Sequence, residues 1–223
     1  MPTLADLVSR ISFLAALPAV VGISITAGLL AISREWRLNV LALTLQYFFV
    51  TLLLTRVIRV EVAAVKGLIG WMICTVFYLT ERQARGVSQM TENESPQPAA
   101  IQTRRWIMPY RASFSLLATL MIVVVAYTAA LRFPLPEVPS DISLACYLLA
   151  GLGLLRVGLG QQSPMAVGIG LLTFLSGFDL FFVALEPSLA VAGLLGTVSF
   201  LIALLVSFLR TIEVRTEREG GSQ

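Results

Sequence analysis

Residues 163–210 read SPMAVGIGLLTFLSGFDLFFVALEPSLAVAGLLGTVSFLIALLVSFLR. Two apolar runs, 164–185 and 188–209, stand on either side of a Glu186-Pro187 turn. Roughly 20 apolar residues, at about 1.5 Å each, cross a hydrocarbon core as a helix, so each run is long enough and the pair predicts a transmembrane hairpin. One carboxylate, Asp179, lies inside the first run beside Phe178, Leu180, Phe181 and Phe182. A charge at that depth is costly without a partner, water or a proton, which makes Asp179 a functional candidate. The competing reading is a structural pair, or a side chain that reaches an interface.

Working outward, five more apolar runs lie at 11–33, 38–55, 61–80, 112–132 and 142–160. The sequence therefore predicts an all-α, polytopic membrane protein of about seven transmembrane helices. The first run follows a short polar start, as a signal peptide would, but it is too long for one and ends at Arg34-Glu35-Trp36-Arg37. It is read as a membrane helix with Pro18 inside it. Composition agrees: 57% of the 223 residues are hydrophobic and 13% charged, far from a soluble domain.

Composition also excludes several functions. The net charge of +3 is too small to suggest nucleic acid, and all basic residues but Lys66 are Arg, gathered at the ends of apolar runs. That placement suits lipid headgroups. The chain has no histidine, which removes His-ligated haem, the usual zinc sites and His-based acid–base catalysis. Cys74 and Cys146 sit singly inside apolar runs without metal-ligand spacing. No catalytic residue, metal or cofactor is expected, and the chain is read as having no enzyme activity of its own.

Residues 81–111 contain GVSQMTENESPQPAAIQT, polar and without periodicity, and read as a solvated linker closed by the basic-aromatic segment RRWIMPYR. The expected organisation is a three-helix half (1–80), this linker, a four-helix half (112–210) and a charged tail (211–223). Seven crossings put the termini on opposite sides. Arg10, Arg56, Arg59 and Arg132 fall on one side, and eleven arginines from Arg34 to Arg218 on the other. The positive-inside rule then expects an outer amino terminus and a cytoplasmic carboxyl terminus in a cell membrane.

On that topology Lys66 and Asp179 lie at similar depths, each one to one and a half turns from an outer helix end. They are expected to pair, which offsets the cost of burying either alone. Gln46 lies near mid-membrane and can serve a water chain or a packing hydrogen bond. Glu61, beside Arg59, is expected to be solvated at the outer boundary, and Arg156, near a helix end, to reach out to the interface. Ala166, Gly170, Thr173, Gly177 and Ala184 form a stripe of small side chains, about 145° from Asp179 around the same helix. A second ridge runs through Ala190, Gly193, Gly196 and Ser199. Such ridges let helices approach closely. A helix with both a packing face and a charged face suggests neighbours outside the chain, although packing within the chain is the more frequent source of such ridges.

The segments SREWRLNVLALTLQYFFVTLLL and EVAAVKGLIGWMI place a mid-membrane Gln and then a Lys early in the next span. In this they resemble the first half of hydrogenase-4 component E. The last three helices, from LACYLLAGLGLLRVGLGQQ onward, resemble its second half and the three-helix K-type subunit of respiratory complex I. The resemblance spans nearly the whole chain in length, helix count and orientation. It implies a non-catalytic membrane subunit that bridges antiporter-like subunits of a redox-driven complex and contributes to a charged axis. Lys66 matches the family's lysine. The family's membrane glutamate falls at Thr173, which cannot exchange a proton near neutral pH. Asp179 is no simple replacement, lying about 9 Å further along and about 120° around. A scaffold subunit without an ion path and a small stand-alone transporter are the alternatives, the latter lacking the paired broken helices of that class.

Overall fold

The computed structural model describes residues 4–33, 35–94, 108–133, 138–159, 163–186 and 188–220. These residues form seven helices: α1 (Leu4–Ile32), α2 (Trp36–Leu54), α3 (Val60–Glu94), α4 (Met108–Arg132), α5 (Ser140–Gly158), α6 (Pro164–Leu185) and α7 (Leu189–Gly220). Helices α2 to α7 are each long and apolar enough to cross a membrane, whereas the apolar segment of α1, Pro18–Ile32, is shorter among the described residues. The protein is an all-α, polytopic membrane protein. Pro18 lies inside α1 without ending it.

Local chemistry accounts for several helix bounds. At the start of α6 the Ser163 hydroxyl accepts from the Ala166 amide, and Pro164 follows at a position where a missing N–H costs nothing. Two helices run further than the apolar pattern implies. The expected linker opens as helix, because α3 continues to Glu94. Residues 81–94 are mostly good helix formers. The expected tail is likewise helical as far as Gly220. Residues 95–107, and Pro187 of the expected hairpin turn, lie outside the described residues.

Helix α6 occupies the centre, packed against α5, α7 and α2, while α4 lies outside against α5 and α1. The α5–α6 seam is the closest. A Cβ placed on Gly177 would stand 2.9 Å from the Cys146 oxygen and the Ala150 nitrogen, and one on Gly170 would stand 3.1 Å from the Gly153 oxygen. One on Gly153 would run into the backbone of Phe174. The stripe through Ala166, Gly170, Thr173 and Gly177 is thus an internal contact; the Ala184 side chain lies outside the described set. The α7 ridge is corrected by the structure. Gly196 meets Ile69 of α3, but a Cβ on Gly193 would find nothing within 4 Å, although the adjacent Ala192 is in the core.

The halves on either side of the linker interlock. One core cluster joins Ile23, Val50 and Leu53 to Ile142, Leu149 and Leu180; the other joins Leu43, Ile73 and Phe77 to Ile169, Leu172 and Ala203. Helix α1 rests on α5, and α3 on α7. These cross-contacts make one bundle rather than two adjacent bodies.

Candidate functional site

Four helices converge around Lys66. Its ammonium, on α3, donates to Asp179 Oδ2 on α6 at 2.5 Å, and the two side chains are 7% and 12% exposed. Gly70 leaves room on α3 for the Tyr47 ring, since a Cβ there would stand 2.7 Å from it. Gly67 similarly accommodates Thr51. Beside the pair lies a small cavity lined by Tyr47, Thr51 and Val50 of α2, Ser176 of α6 and Gly196 and Ser199 of α7. About 20 Å³ is open to the centre of a water molecule, enough for one such molecule. Thr51 and Ser176 donate to carbonyls of their own helices. Their oxygens therefore remain available as acceptors toward the cavity.

The depth argument placed the lysine and the aspartate at one level, and the structure brings them into contact. It also shows where both special faces of α6 go: the small-residue face to α5, the charged face to α3. Packing within the chain thus accounts for both faces.

The remaining candidates divide. Gln46 is fully buried, and neither its amide nitrogen nor its oxygen has a hydrogen-bond partner among the described residues. An amide left so costs about 1–3 kcal/mol. Thr173 is buried and donates to the Ile169 carbonyl at 2.8 Å, a bond within its own helix. Glu61 is exposed at the start of α3, as its boundary position implies. Both cysteines are free and buried. Among the described residues, no three His, Cys, Asp or Glu side chains gather as a metal site would require.

Two buried charges, Arg156 and Glu81, and the half-buried Arg210 escaped the sequence. Arg156 does not reach outward; it is 6% exposed. Its Nε donates to the Ala166 carbonyl at 3.3 Å, and Nη2 to Asn39 at 3.1 Å when the Asn39 amide is turned to suit its neighbours. It ties the end of α5 to the starts of α6 and α2, where a cation also suits the α5 carbonyl end. Glu81 is buried between α3 and α7, with Arg210 at 3.3 Å and Arg85 at 3.5 Å. Arg210 also pairs with Glu213 at 2.6 Å. The signal available for these was weak: an arginine two residues from a helix end, and charges beyond the apolar runs.

Compared with family models, curated proteins and solved structures, the chain matches none.

Proposed function

We propose that this protein is a non-catalytic membrane subunit of an ion-translocating complex of the complex I or hydrogenase-4 type, moving protons or sodium. Its role is to bridge antiporter-like subunits and to carry one step of the charged axis through Lys66 and Asp179. The observation that supports this most is the buried Lys66–Asp179 pair, with hydroxyl oxygens and a water-sized space beside it. Evolution of a stable bundle needs no such pair, because apolar residues of similar volume are often as stable or more so. The sequence resemblance supplies the parent complex, and Lys66 its matching residue. The arginine asymmetry supports a cell membrane location with the amino terminus outside and the carboxyl terminus in the cytoplasm.

A scaffold role without ion movement is the second reading. It is favoured by Thr173, which spends its hydroxyl on its own helix where the resembling family has a proton-exchanging glutamate. Purification in mild detergent from the native host tests the common ground of the two. Large multi-span partners in fixed ratio are expected, whereas a monodisperse chain without companions would overturn both.

A further inference from the structure

Trp36 is the first residue of the apolar stretch Trp36–Leu54, so its indole stands at the membrane boundary. Two arginines gather on that one ring. The guanidinium of Arg37 lies 5.4 Å and that of Arg85 5.1 Å from its centroid. Tyr78 packs beside it, ring centroids 5.9 Å apart. An aromatic face attracts a cation, and two cations held beside one ring attract an anion more strongly than either does alone. The chain supplies little of that anion. Arg37 has no ion-pair partner among the described residues, and Arg85 has only Glu81 at 3.5 Å, a carboxylate shared with Arg210. Glu35, next in the chain, is exposed and makes no side-chain cap to α2.

An apolar track descends from the same place. Arg37, Leu41, Thr44 and Phe48 recur at spacings of four, three and four, which puts them on one face of α2. All four are exposed, Leu41 at 55% and Phe48 at 58%. A cationic head above an exposed, mostly apolar helix face matches one kind of molecule in charge and polarity.

We propose that Arg37, Arg85 and Trp36 form a binding site for an anionic phospholipid, with the lipid phosphate between the guanidiniums and an acyl chain along Leu41, Thr44 and Phe48. The net negative headgroup joins the two cations; a zwitterionic headgroup brings its own cation and does so less well.

Native mass spectrometry and thermal unfolding of the purified full chain test this, with phosphatidylglycerol, phosphatidylcholine or inorganic phosphate added. The wild type should retain phosphatidylglycerol in preference to phosphatidylcholine and unfold at a higher temperature with it. Arg37→Gln with Arg85→Gln should reduce that preference on the order of tenfold, while Arg82→Gln, an exposed arginine with no ring contact, should leave it intact. If the double variant fails to fold, Arg37→Gln alone removes an exposed side chain with no ion pair among the described residues and should show part of the same loss. Unchanged lipid preference in the Arg37 and Arg85 variants, or an equal loss in Arg82→Gln, would overturn the proposal. Stabilisation by inorganic phosphate equal to that by phosphatidylglycerol would also overturn it, in favour of a free-anion site.

Discussion

Lys66 and Asp179 each remove the other's reason to be expelled from the bundle. Removing one partner leaves a buried charge, which typically costs about 3–5 kcal/mol, whereas replacing both with apolar residues is often neutral. Lys66→Met and Asp179→Leu should each lower the unfolding temperature of the purified chain, and the double variant should recover most of the loss. Equal, additive losses would show that the two do not act as a pair. Gln46 presents the opposite case, a polar group with nothing to hold it. Gln46→Leu should be neutral or stabilise by up to about 1–3 kcal/mol in the same assay. A clear loss would reveal a water or partner that satisfies the amide. Depth made the Lys66–Asp179 pair legible in the sequence, because two lone opposite charges at one level have few other ways to be buried. Arg156 was not legible. A helix-end arginine reads as one that reaches outward, and only tertiary structure brings the Ala166 carbonyl and Asn39 into its range.

At the scale of elements, the glycines separate contact from open surface. The α5–α6 seam brings backbone against backbone, so Gly177→Ala must push the helices apart and should destabilise by about 1–3 kcal/mol, as overpacking does. Gly193→Ala meets no neighbour and should stabilise α7 by up to about 1 kcal/mol through helix propensity. Thermal unfolding of the two variants in one detergent compares them, and the same sign for both would contradict the packing described here. The stripe on α6 was readable as a periodic pattern, but its partner was not, since small residues pack against any close helix. The ridge on α7 is also periodic, every three residues, yet a Cβ on Gly196 meets a neighbour and one on Gly193 meets none. Helix ends were misread for a different reason. Hydropathy marks where the hydrocarbon stops, while α3 runs on to Glu94 and α7 to Gly220, so Glu81 reads as the start of a polar segment and Arg210 as the last residue of an apolar run, neither as a buried contact.

Across the whole molecule, the arrangement of ends is internally consistent. Arg56 after α2 pairs with Asp141 of α5 at 2.9 Å, while Arg156 and Asn39 meet at the opposite end. If the arginine-rich end faces the cytoplasm, a reporter fused after Gln223 should be active only in a cytoplasmic form, and one fused before Met1 only in an external form. The reverse pattern would refute that orientation. The apolar runs made the class of fold legible because each had to be a helix to satisfy its backbone in lipid. The interlocking of the halves was hidden, since a polar connection says where the chain leaves the membrane and nothing about which helices meet again.

The central claim is that the Lys66–Asp179 pair carries an ion step within a larger assembly. Ion translocation should be measured in membranes carrying Asp179→Asn, with assembly checked by co-purification. The account predicts that the complex assembles normally and translocation falls at least about tenfold, the loss expected when a proton-transfer group is removed. Wild-type translocation in an assembled Asp179→Asn complex would contradict it.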